Sequence, residues 1–284
     1  MNILNVKDKN LSIIIPFKNG HTLLQTTFIH LFKHLNIEIE LENDQNKILG
    51  NSYIFVRNPI DRFFSSYHWL KYMSEVGVDI YKESVNGYMK SAGVYDISSY
   101  IKKYSIFLDT CYDTHYIPQS SQILYDNKIM LKNEIIDNQI NIKSLYEHKF
   151  GSNYKIIKIE EVNKIIENDT LNLVSKNIGF HRNLDTIGFN IDKFDFLDNF
   201  PNEVSFLFTT FYFYFKNLFE TSSHHKHANY FREITLSEYQ NICQITKNEF
   251  DFFGYGENVI DDKIFKIEYE NTVIENKKFK KSLI

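Results

Sequence analysis

The sequence has little cysteine, proline, glycine or tryptophan. Its 284 residues include two cysteines, four prolines, ten glycines and one tryptophan. The two cysteines, Cys111 and Cys243, supply neither a disulfide framework nor a metal-binding set. No stretch is rich in Pro, Gly and Ser and none is repeated. We therefore predict a single domain over residues 1–284, with a polar tail from about residue 261.

Positive charge is not in excess either. There are 32 Lys and Arg against 36 Asp and Glu, a net charge of −4. This argues against a nucleic-acid binder with a general basic face, so an anionic ligand would need a local cluster of cations. Arginine is especially scarce, and the four are Arg57, Arg62, Arg182 and Arg232. A guanidinium can bind a phosphate through two parallel hydrogen bonds, whereas an ammonium cannot. An arginine at the end of a strand is therefore a candidate phosphate ligand.

Long apolar runs and metal-ligand patterns are also missing. The apolar segment Ser205–Phe219 is short and interrupted by Lys216, which favours a buried helix over a membrane span. The first ten residues are charged too early for a signal peptide, and we expect a soluble, cytoplasmic protein. The histidines between His224 and His227 lack a fourth ligand at suitable spacing, so we expect no metal site.

The stretch 52–73 has the most informative pattern. Ser52–Val56 has the composition of a buried strand, Arg57 follows it, and Asn58-Pro59 breaks it. From Asp61 the apolar residues recur at helical spacing, at Phe63, Phe64, Tyr67, Leu70 and Met73. Arg57 and Ser65 could then line one crevice at the carboxyl end of a sheet. From spacing alone, Arg57 could equally form a structural ion pair.

A second strand–turn–helix pattern lies nearer the N-terminus. Leu11–Ile15 is a short apolar strand, and a helix follows the loop at 16–22. Thr22 and Gln25 fit a capping box at the start of that helix. A glycine-containing loop before a helix presents backbone N–H groups to an anion, and Lys18 adds a charge. The pattern alone also fits an ordinary β–α turn, because the P-loop consensus is absent.

The remaining elements complete an α/β pattern. Tyr154–Ile159 is a further buried strand, Asp96–Phe107 and Thr235–Tyr255 are predicted helices, and Glu75–Ser91 has no clear period. We predict an α/β fold with a central parallel β-sheet flanked by helices.

Residues 57–67, RNPIDRFFSSY, resemble the 3′-phosphate-binding motif R-[DN]-P-x-[DE]-R-x-x-S-x-Y of the carbohydrate branch of PAPS-dependent sulfotransferases. PAPS is the sulfuryl donor 3′-phosphoadenylyl sulfate. The resemblance implies that Arg57 and Ser65 bind the 3′-phosphate. It also implies a three-layer fold shared with P-loop kinases.

The loop after the first strand resembles the 5′-phosphosulfate loop of the same family through its K-x-G-x-T pattern, Lys18 to Thr22. The resemblance implies that Lys18 contacts the bridging oxygen, and that Asn19, Gly20, His21 and Thr22 hold the 5′-phosphate. One departure is Phe17, which separates Pro16 from Lys18, whereas the family has Pro directly before Lys.

Two further segments resemble the family. Asp113–Gln119 resembles its D-x-H-x-x-P-Q segment, which makes His115 a candidate general base. Alternatively, His115 only makes a structural hydrogen bond in its loop. His68 is a second candidate for the base. The C-terminal pattern resembles its nucleotide-covering loop, which makes Asn229 and Arg232 candidate donor contacts.

The function implied is transfer of a sulfuryl group from PAPS to a hydroxyl of an acceptor, which we expect to be a saccharide, without a metal. One alternative is a nucleotide-sugar glycosyltransferase, since Leu11–Asn19 resembles the opening strand of inverting members. Many of those enzymes hold a metal through Asp-x-Asp, which this chain lacks. The other alternative is a non-catalytic nucleotide-binding protein of the same fold.

Overall fold

The computed structural model describes residues 1–77, 79–111, 113–124, 132–137, 139–164, 166, 195–197, 200, 203–220 and 234–255. Contacts divide the chain into two compact units. The first comprises Met1–Arg57 and Phe150–His225, and the second Asn58–Lys149 and Lys226–Ile284. Each unit has its own apolar core. The single domain inferred from the sequence stays a prediction.

The first unit contains a five-stranded sheet. Its strands are β1 (Asn2–Val6), β2 (Leu11–Ile15), β3 (Glu40–Glu42), β4 (Asn51–Val56) and β5 (Tyr154–Lys158), in the order β3-β1-β2-β4-β5. Strands β2, β4 and β5 run parallel, whereas β1 pairs antiparallel with β2 and with β3. The α/β class is confirmed, but the sheet is mixed rather than wholly parallel. The hairpin connection of β1 to β2 accounts for this difference, because adjacent strands joined by a short turn are antiparallel.

Residues 159–164, directly after β5, are helical. The other α-helices of the described ranges follow in chain order. They are α1 (His21–His34), α2 (Pro59–Val76), α3 (Asp79–Ala92), α4 (Ile97–Lys102), α5 (Tyr104–Thr110), α6 (Gln119–Leu124), α7 (Asn133–Ile136), α8 (Ile142–Phe150), α9 (Glu203–Glu220) and α10 (Leu236–Phe252). Over these ranges, none of the helices combines the length and the apolar character that crossing a bilayer would need.

Helix α1 packs its apolar face within the core of the first unit. Phe28 and Phe32 are fully buried, and the ring of Phe28 lies 5.6 Å from that of Phe55 in β4 and 5.1 Å from that of Phe208 in α9. Within the described side chains of the Ser205–Phe219 segment, Phe208, Tyr212 and Phe215 are therefore core, at helical spacing. This packing holds the N-terminal end of α1 close to the ends of β2 and β4.

Helix α2 starts two residues earlier than its apolar spacing suggests. Asn58 is the N-cap, and its side-chain oxygen accepts from the N–H of Ile60 at 2.9 Å; Pro59 occupies the first helical turn. Proline suits that turn because its fixed φ is helical and its missing N–H is not needed there. The apolar face lies in the core of the second unit.

Two helix predictions in the second unit need correction. The predicted Asp96–Phe107 helix is two helices, α4 and α5, which meet at Lys103, and Asp96 caps the first in a capping box with Ser99. Glu75–Ser91, expected to be irregular, is largely helical because α3 covers most of it. The apolar residues of α3 pack on the core at helical spacing, but the polar residues between them obscure this spacing in the sequence. These apolar residues are Tyr81, Val85, Tyr88, Met89 and Ala92.

Candidate functional site

The turn between β2 and α1, residues 16–20, has an unusual backbone. The N–H of Asn19 donates to the carbonyl of Pro16 at 3.3 Å, and Lys18 and Gly20 have φ of 68° and 67°. At Gly20 an added Cβ would lie 2.6 Å from Cδ1 of Ile159. The left-handed φ favours glycine at this position, and an added Cβ would also displace the end of the Ile159 side chain.

Helix α1 begins directly after this turn. Gly20 is its N-cap, no side chain caps it, and its first turn contains no acidic residue. The capping box predicted from Thr22 and Gln25 is wrong: the left-handed Gly20 lets the chain enter the helix earlier, so Thr22 is already helical and exposed. The Thr22 hydroxyl lies 3.4 Å from Nε2 of His21. A helix start of this kind favours an anion through its N–H groups and its dipole.

The end of β4 lies against the same turn. Asn19 is fully buried, and its side-chain amide donates to the carbonyl of Phe55 at 3.0 Å. Arg57 donates from Nη1 to the carbonyl of Lys18 at 3.4 Å. Because β2 and β4 are parallel neighbours, their carboxyl ends meet at one sheet edge. Lys18, Asn19, Gly20, His21, Thr22 and Arg57 are therefore brought together within the first unit.

Ser65 and His68 lie on α2 of the second unit. Ser65 is buried and His68 is half-buried, three residues further along the helix. The pairing of Ser65 with Arg57 around one phosphate stays a prediction.

His115 lies in the turn after α5, in the second unit, and is part of a carboxylate–imidazole pair. Its Nδ1 is 2.6 Å from Oδ1 of Asp113, and 24% of its side chain is exposed. The Oδ2 of Asp113 accepts from the hydroxyl of Tyr81 in α3. The His115 ring packs beside that of Trp69, with ring centroids 5.9 Å apart. The imidazole is thus oriented on one side and accessible to solvent in part.

The backbone around His115 is anchored at several points. Tyr104 donates its hydroxyl to the carbonyl of Tyr116 at 2.9 Å, and Ser66 donates to the carbonyl of His115 at 3.0 Å. Further on, buried Glu249 accepts from the N–H of Ser120 at 2.6 Å at the start of α6. Burial raises the pKa of the Glu249 carboxyl, and the charge of Arg62 opposes that shift.

Asn229 and Arg232, and the histidines between His224 and His227, lie outside the described residues. Over the ranges that the structure describes, no group of three or more His, Cys, Asp or Glu side chains is arranged to hold a metal ion.

Asp113 and Tyr81 are not among the site residues that the sequence predicts. Asp113 could have been found, because an Asp two residues before a His in a turn can hydrogen-bond the following backbone N–H and reach the ring. Tyr81 could not, because it comes from a separate helix 32 residues away.

Comparisons with family models, with curated proteins and with solved structures found no match to the chain.

Proposed function

We propose that the protein is a sulfotransferase that moves a sulfuryl group from PAPS to a hydroxyl of an acceptor, with a saccharide as the acceptor class. The observation that supports it most is the meeting of the β2–α1 turn with Arg57 at one sheet edge. There a helix start without an acidic residue, the Lys18 side chain and a guanidinium lie within one unit.

This edge suits a ligand with separated phosphate groups. The start of α1 and Lys18 can bind one group through N–H donors and a point charge. Arg57, held at the end of the neighbouring strand, can bind a second group with its planar fork. The chain has a net charge of −4, so this local cluster rather than a general basic surface would attract the donor.

In the proposed reaction His115 takes the proton of the acceptor hydroxyl. The hydroxyl oxygen bonds to sulfur as the bond between sulfur and the bridging phosphate oxygen breaks, and that oxygen keeps the electron pair. Lys18 neutralises the charge that develops on it. Positioning and charge stabilisation account for most of the rate enhancement in phosphoryl transfer, and we expect the same of this sulfuryl transfer.

The test is calorimetry with adenosine 3′,5′-bisphosphate, AMP and a nucleotide sugar. We expect tight binding of the bisphosphate and weak binding of the other two. Equal affinities for the bisphosphate and AMP would exclude the sulfotransferase, and preferential binding of the nucleotide sugar would favour the glycosyltransferase. Tight binding of the bisphosphate without transfer to any saccharide tested would indicate a non-catalytic protein.

A further inference from the structure

Asp113 is fixed from three directions. Its Oδ1 accepts from the backbone N–H of His115 at 2.8 Å and lies 2.6 Å from His115 Nδ1, and its Oδ2 accepts from the Tyr81 hydroxyl. Its side chain is only 13% exposed. A carboxylate held in this way has little freedom to turn away from the imidazole.

An ionised carboxylate only accepts hydrogen bonds. The short contact with Oδ1 therefore places the proton of a neutral His115 on Nδ1, and Nε2 carries the lone pair. The Trp69 ring lies beside the imidazole, with the two ring planes 31° apart. The geometry thus selects one tautomer and one orientation.

We infer that Asp113 and Tyr81 are positioning residues that hold His115 with Nε2 as the base. This inference rests on the proposed function, because it uses His115 as the group that accepts the acceptor proton. The proton moves from the hydroxyl to Nε2, the Nδ1 proton stays on the ring, and Asp113 remains ionised and stabilises the imidazolium. Burial raises the pKa of the neighbouring Tyr116 phenol, so that phenol stays neutral.

The direct test is nitrogen NMR of the histidine-labelled full chain at neutral pH, with His115→Gln to assign the resonances. In the wild type we expect a protonated Nδ1 and an unprotonated Nε2. A neutral His115 with its proton on Nε2 would refute the inference, and the tautomer itself is read in the unaltered wild-type pair.

Asp113→Ala removes both the charge and the Oδ1 acceptor that faces His115 Nδ1. We expect the Nε2–H tautomer to become populated and kcat to fall about a hundredfold or more, with donor affinity unchanged, because general base catalysis contributes about 10²–10⁴-fold. Tyr81→Phe should lower kcat about fivefold, the equivalent of one ordinary hydrogen bond of about 1 kcal/mol. A tautomer unchanged in a folded Asp113→Ala protein would refute the role of Asp113.

The matched controls are Asp109→Ala and Tyr95→Phe, both at exposed positions of the second unit. Neither should change the tautomer or kcat. If the bisphosphate fails to bind while the tautomer is as expected, the proposed function is refuted and the positioning of the imidazole is retained. If the bisphosphate binds and the tautomer differs, only the positioning role of Asp113 and Tyr81 is refuted.

Discussion

Replacing Arg57 separates a phosphate-binding arginine from a structural one. Arg57→Lys keeps the positive charge and loses the planar pair of donors. The contact of Nη1 with the Lys18 carbonyl is long, at 3.4 Å, so its loss should cost the fold little. If Arg57 instead binds the 3′-phosphate, the loss of one charge-assisted hydrogen bond of about 1.5–3 kcal/mol should weaken binding about ten- to a hundredfold.

The measured quantity is the ratio of affinities for adenosine 3′,5′-bisphosphate and AMP, obtained by calorimetry. We expect the ratio to fall in Arg57→Lys and to approach one in Arg57→Ala, while AMP binding changes little. The control is Lys33→Ala, which removes one charge from the exposed last turn of α1 in the same unit and should leave the ratio unchanged. A ratio that survives in a folded Arg57→Ala protein would show that another group holds the 3′-phosphate.

Four other perturbations follow from the structure. Lys18→Ala should lower turnover far more than donor affinity, because the charge that Lys18 neutralises develops mainly in the transition state; equal losses in both would refute this role. If His115→Ala retains turnover, the base lies elsewhere and His68 is the next residue to replace. Gly20→Ala should destabilise the fold by about 1–2 kcal/mol in urea unfolding because of its left-handed φ, whereas Gly87→Ala, within α3 and in open space, should stabilise it slightly. Glu249→Gln should flatten the pH dependence of the free energy of unfolding. Because the pKa of the folded-state carboxyl is raised, the protonated carboxyl stabilises the fold below the ordinary pKa near 4.5, and this stabilisation is lost as pH rises through the folded-state pKa. The stability of the variant relative to the wild type should therefore increase as pH rises through this range.

The strands β2 and β4 could be predicted because their β-branched and aromatic runs end at clear breakers. Strand β1 could not, because its Asn5 is polar yet only 2% exposed. Asn5 accepts from the hydroxyl of Ser12 at 2.6 Å and donates to the carbonyl of Lys47 at 2.9 Å. Those partners come from a neighbouring strand and a distant turn, so local composition does not reveal that a buried asparagine is satisfied there.

The candidate site was predictable where its geometry is local. The loop after β2 and the arginine after β4 each follow from a strand that ends in a breaker, and parallel pairing brings the two ends together. The sequence places the start of the helix at Thr22, whereas α1 begins at His21 after Gly20. Composition alone does not reveal that Gly20 adopts a left-handed backbone conformation. Tyr81 was missed because its hydrogen bond with Asp113 depends on how α3 packs.

The single tryptophan gives the protein an optical property of its own. Trp69 is the chain's one indole, and its ring lies 5.9 Å from the His115 imidazole. Light absorbed at the red edge of the aromatic band excites this residue alone, and a protonated imidazole at that distance accepts an electron from the excited indole and quenches its emission. We therefore expect tryptophan emission to fall when the His115 imidazole is protonated, a change that can be followed in the unmodified protein and in the absence of the hydroxyl substrate.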